Sequence, residues 1–192
     1  MYRKTVLTLL VVCVIGMFLS GCGGQDLVRQ TYENKLNGAY SQLQNGRFSS
    51  AMSPLEQASK IAEENGYNQT EIRKLKAEAC LGIGDLVCAY DQAQELLNTE
   101  PSNPYALELL GKVCIKENRY SEAEGYLSKA KLEYKETSDI SRVTDLIAVA
   151  RGLSAYSEGN PKLAERYFRS IENVDLQFSI DTTRKNLSSN KY

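Results

Sequence analysis

Two hydrophobic patterns divide the chain. Behind Arg3 and Lys4 an uncharged apolar run extends from Val6 to Phe18. It is shorter than the roughly 20 apolar residues a membrane-spanning helix needs. Past it, apolar and small residues recur at three- and four-residue spacing, punctuated by Gly or Asn. Such spacing puts them on one face of successive helices, and the punctuation marks short turns. No stretch sustains period-two alternation, so no strands are predicted. None of the four prolines falls where it would break a strong helical pattern.

The helices repeat. Gly46-Arg47-Phe48-Ser49-Ser50-Ala51 compares with Gly84-Asp85-Leu86-Val87-Cys88-Ala89, with Asn118-Arg119-Tyr120-Ser121-Glu122-Ala123 and with Gly159-Asn160-Pro161-Lys162-Leu163-Ala164. Each motif is a turn residue, a polar residue, usually a bulky apolar one, two variable positions and an alanine. The alanines at 51, 89, 123 and 164 are spaced by 38, 34 and 41 residues. A period near 34 residues, lengthened by short insertions, is that of a helix–turn–helix repeat.

On these residues the chain resembles the tetratricopeptide-repeat family, over about residues 30–174. The third copy matches best, with Leu107, Leu110, Gly111, Tyr120, Ala123, Leu127 and Ala130 at signature positions. The first copy carries Ala39, Gly46, Phe48, Ala51, Leu55 and Ala58. The fourth carries Gly152, Gly159, Ala164 and Phe168, with Pro161 in place of the aromatic. The second ends in Pro101-Ser102-Asn103-Pro104, which stops one helix and starts the next. The expectation is therefore an all-α solenoid of about four repeats, approximately 32–68, 70–103, 104–137 and 145–174. Residues 175–192 are expected to form a capping helix and polar tail. Alanine or glycine at the helix crossings lets backbones approach, and stacked neighbours supply the core that no single hairpin can bury.

The resemblance also implies a concave groove lined by the first helix of each repeat, taking a protein or peptide partner. Carried over, its residues are Leu36, Tyr40 and Leu43, then Lys74, Glu78 and Leu81, then Tyr105, Glu108, Lys112, Ile115 and Lys116. In the fourth repeat they are Leu146, Val149, Leu153 and Tyr156. Such a groove is apolar at both ends and charged in the middle. The Lys/Asn carboxylate clamp of chaperone-binding members is absent, because Leu36 and Tyr40 stand at its first positions. A competing expectation is that Leu146, Val149 and Leu153 pack beneath a terminal helix and Tyr40 covers the first hairpin.

The N-terminal run has its own reading. Arg3 and Lys4, the apolar stretch and the small residues that close it make a secretory signal. Leu19-Ser20-Gly21-Cys22 resembles the lipobox of bacterial lipoproteins. By that resemblance residues 1–21 are a signal peptide, and Cys22 carries diacylglycerol and acyl lipid as the mature N-terminus. Two or three chains make attachment stable where a single one holds reversibly. Residues 22–29 then form a short tether. Gly23 rather than Asp follows the cysteine, which by the family's sorting rule favours an outer membrane, facing the periplasm.

Composition narrows the chemistry. Without Arg3 and Lys4, 21 basic residues stand against 24 acidic ones, a net charge of −3. That balance opposes nucleic-acid binding, which needs a basic footprint. The chain has no histidine, removing the commonest general base and metal ligand. It has no P-loop, no GxGxxG and no CxxC either. No catalytic residue, metal or cofactor is expected beyond the lipid on Cys22.

Five cysteines occur. Cys13 leaves with the signal and Cys22 takes lipid, so Cys80, Cys88 and Cys114 remain. Cys80 and Cys114 occupy equivalent helix positions suited to a small apolar filler. Cys88 follows the turn on the antiparallel partner helix, so a Cys80–Cys88 disulfide and free thiols both stay open.

Three functions follow, in order of support. The first is a membrane-anchored scaffold for an envelope complex, resembling the small tetratricopeptide lipoproteins of pilus and secretion assembly. The second is an adaptor that recruits cell-wall hydrolases or synthases. The third is a carboxylate-based enzyme. A homodimer is open.

Overall fold

The computed structural model describes residues 24–173, so residues 1–23 and 174–192 are outside the account that follows. The signal peptide, Cys22 and the capping segment 175–192 all lie outside the described residues. Among the described residues every regular element is a helix. We number them α1 (residues 24–44), α2 (Phe48–Asn65), α3 (Thr70–Ile83), α4 (Leu86–Thr99), α5 (Pro104–Lys116), α6 (Tyr120–Glu133), α7 (Thr137–Ser157) and α8 (Pro161–Arg169). The chain divides into two compact units, one up to Leu75 and one from Lys76 onward.

In the first unit, α1 turns into α2 at Gly46, whose φ of 67° is left-handed. Ala39, Leu43, Ala51, Leu55, Ala58 and Ala62 are buried at the three- and four-residue spacing read from the sequence. Tyr32 of α1 packs at a tilt against Tyr67 just beyond α2, ring centroids 5.2 Å apart. Pro54 sits inside α2 without ending it. Its missing N–H would have reached the carbonyl of Ser50, an exposed residue where water can substitute.

Two expected boundaries differ. Residues 24–29, expected as tether, are helical and continuous with α1. Nothing between Gly24 and Leu43 breaks the helix, and Arg29 supports it through an i,i+4 pair with Glu33 at 3.1 Å. The fourth repeat begins at Thr137 rather than 145. Asp139 lies in the first turn of α7 and pairs with Arg142 at 2.8 Å, while Val143 is fully buried. An acidic residue near the positive end of the helix dipole and an apolar anchor one turn on suffice to extend it.

In the second unit, α5 packs on α4 and α6, and α7 packs on α6 and α8. The left-handed residue recurs at the turn position of each motif: Gly84, Asn118 and Gly159 have φ of 91°, 61° and 79°. Asn118 is the position without glycine, and Asn is among the few residues tolerating that conformation. The crossings are tight where the repeat pattern placed glycine. A Cβ on Gly111 of α5 would lie 2.5 Å from Cγ of Leu127 on α6. A Cβ on Gly152 of α7 would overlap the Phe168 ring of α8. The core is a series of clusters rather than one centre. Ile115 packs against three of them and Tyr126 against three, two of these shared, which makes the series continuous.

Candidate functional site

The residues expected to line a groove fall in both units. In the first, Leu43 is only 6% exposed and belongs to the core; Leu36 is half-buried and Tyr40 is 53% exposed. Leu43 therefore cannot present a surface to a partner. It points to the same side as Ala39, four residues back, which is also buried.

In the second unit the apolar members are packing residues first. Leu81 and Tyr105 are half-buried against the cluster of Ala77, Ala93, Leu109 and Leu110. Leu153 and Tyr156 pack against the cluster holding Phe168 and Ile171. Leu146 and Val149 are buried outright. Helix α7 has buried residues on most of its circumference from Val143 to Ala150, so its apolar character serves several neighbours at once. The groove expected to be apolar at its C-terminal end is thus largely core there. Glu78 and Lys116 remain exposed, while Lys112 is half-buried.

The charged middle has a centre that the pattern placed on the groove wall. Glu108 of α5 is 2% exposed. Its carboxylate accepts hydrogen bonds from Arg142 Nη1 at 3.1 Å and from the Tyr134 hydroxyl at 2.8 Å. Arg142 Nη2 lies 2.9 Å from its second oxygen, and Lys112 Nζ lies 2.6 Å from the first. A forked guanidinium on a carboxylate is among the stronger charge-assisted contacts. Asp139 draws Arg142 from the other side at 2.8 Å, and the guanidinium carbon sits 5.6 Å above the Tyr134 ring. Burial, then the Glu108 charge and its hydrogen bond, push the Tyr134 phenol well above its ordinary value. This network joins α5 to α7 and to the segment between α6 and α7. Lys112 and Arg142 each keep about a third of their side-chain surface, 34% and 38%, on the outside.

Sequence reasoning named Glu108 and Lys112 but missed Tyr134, Asp139 and Arg142. An Arg three residues after an Asp at a helix start was the available signal. A second buried carboxylate, Asp145, was also missed. It accepts the backbone N–H groups of Glu172 and Asn173 at 3.1 and 2.9 Å, fixing the chain as it leaves α8. Isolated carboxylates like this carry no periodic signal.

Cys80 and Cys88 form a disulfide, Cα atoms 5.8 Å apart, joining α3 to α4 across their turn. Cys114 is a free, buried thiol, and burial, partly offset by Arg119, raises its pKa. No group of three or more His, Cys, Asp or Glu side chains is arranged to hold a metal among the described residues. None of the described helices is long and apolar enough to cross a membrane.

These features define an all-α protein of repeated helix–turn–helix units, with the close Gly and Ala crossings that the tetratricopeptide resemblance implied. A solved crystal structure of a thermophilic TPR protein from Thermus thermophilus is similar over 73% of this chain and 74% of that one. The identity is 21% and the TM-score 0.46. No protein-family model matches the chain, and no curated protein matches it.

Proposed function

We propose that the chain is a lipid-anchored repeat scaffold that binds a protein partner during assembly of an envelope complex, in the manner of a pilus or secretion pilotin. The observation that carries the scaffold reading is the repeat architecture itself, whose stacked helices present side-chain stripes without a reactive constellation. Tyr40, Glu78 and Lys116 are the exposed members of those stripes. The anchor reading rests on Leu19-Ser20-Gly21-Cys22 behind its apolar run. The Cys80–Cys88 disulfide is consistent with an exported protein, since disulfides persist in oxidising compartments.

One experiment addresses both halves. Envelope fractions from cells producing the chain, and separately the Cys22→Ser variant, are crosslinked and the captured proteins identified. The wild-type chain is expected in the membrane fraction with a reproducible partner, and Cys22→Ser in the soluble one. Membrane retention of Cys22→Ser unchanged would defeat the anchor. Two variants, Tyr40→Ala in the first unit and Glu78→Lys/Lys116→Glu in the second, that fold and still capture every partner would defeat the stripes. These three sites are preferable to Tyr105, Ile115 and Tyr156, whose truncation also removes core packing.

A further inference from the structure

We propose a second interaction surface, a cleft over the outer side of α7 that takes a short acidic segment of another protein carrying apolar side chains. The cleft has a volume of about 580 Å³ and lies between α6 and α8 with α7 beneath; α5 contributes nothing to it. Its α7 residues are Thr144, Ile147, Ala148 and Arg151. At 3.6 residues per turn they lie on the face opposite Leu146, Val149, Leu153 and Tyr156. The cleft is therefore a different surface from the stripe considered above.

Its chemistry is specific in two respects. The accessible apolar group is Leu132 on the α6 wall, 84% exposed, while Ile147 and Ala148 close the bottom of the cleft as core residues. The walls are cationic. Lys131 comes from α6 and Arg166 from α8, and neither forms an ion pair within the described residues. Arg151 between them is already held by Glu124, Nε at 2.9 Å and Nη2 at 2.6 Å. Two cations without an ion pair among the described residues, on two walls beside the exposed Leu132, complement carboxylates flanking an apolar side chain. A neighbouring cavity of about 490 Å³ shares Arg151 and Tyr167 and adds Glu124 and Glu158, so positive charge gives way to negative along the cleft.

The test uses the full purified chain and two fluorescent hexapeptides, ELFEEL and KLFKKL. The acidic peptide is expected to bind and the basic one not to. Lys131→Glu/Arg166→Glu should weaken ELFEEL by about tenfold or more, and added salt should weaken it too. Both residues lie in the last turn of their helices, where a negative charge opposes the helix dipole, so circular dichroism should match wild type while Tm falls slightly. A photocrosslinking residue in place of Leu132 then reports the occupant. A crosslink to ELFEEL supports the proposal. Equal binding of both peptides, indifference to the double reversal, or crosslinks only to residues 174–192 or to a second copy of the chain would overturn it.

Discussion

Gly152 and Gly111 are small because their neighbours leave no room. Phe168 and Leu127 are themselves buried, so neither can swing away from an added methyl group. Gly152→Ala and Gly111→Ala should each gain ~1 kcal/mol of helix propensity but meet an overpacking cost of about 1–3 kcal/mol. Net destabilisation is expected, larger at Gly152, where the approach is closer. Chemical denaturation of the two variants checks this, and a rise in stability at Gly152→Ala would contradict the crossing. These two glycines were legible in the sequence, because the repeat pattern assigns them a position and a reason. Glu108 was legible only as a charge on a helix. Lys112, four residues on along α5, was legible beside it; that Arg142 reaches Glu108 depended on where α7 begins, and the sequence pattern started that repeat too late.

At the scale of the helix, the second position of each motif does different work in different repeats. Asp85 accepts the Cys88 N–H at 3.0 Å, and Asn160 accepts that of Leu163 at 3.2 Å. Arg47 and Arg119, in the same place, make no such cap. Asp85→Ala should therefore cost about 1 kcal/mol while Asp85→Asn keeps most of it, since both oxygen-bearing side chains satisfy an otherwise orphaned N–H. Urea titration of the oxidised protein measures it; equal loss in both variants would mean the cap is irrelevant. Helix existence was readable throughout this chain from apolar spacing and turn residues. Helix starts were less so: α1 and α7 both begin earlier than expected. At α7 no glycine or proline stops the helix, and local pairs such as Asp139 with Arg142 extend it without an apolar signature.

Across the second unit, stability should follow the number of neighbours each helix has. Helices α5, α6 and α7 are packed on both sides in the series, whereas α8 packs chiefly on α7 among the described helices. In a stack of this kind each interface contributes separately, and the ends open first. Native-state hydrogen exchange is expected to be slowest in α5 to α7 and faster in α8, with the Asp145-bound N–H groups of Glu172 and Asn173 slower than their terminal position suggests. Uniform protection from α5 through α8 would show a single cooperative core instead.

By itself the sequence determined the helical repeat, the turn residues and the small residues at the crossings. Each of these is written in residues close together in the chain or at a fixed period, where local backbone preference and side-chain size act. Tertiary structure alone decided what the exposed stripes became. It withdrew Leu43, Leu146 and Val149 into the core, gathered Glu108, Arg142 and Tyr134 into one network, and set Lys131 and Arg166 on two walls beside Leu132. Those outcomes depend on which helix faces pair. Pairing is settled by the fit of whole surfaces, and no single helix's periodicity encodes it.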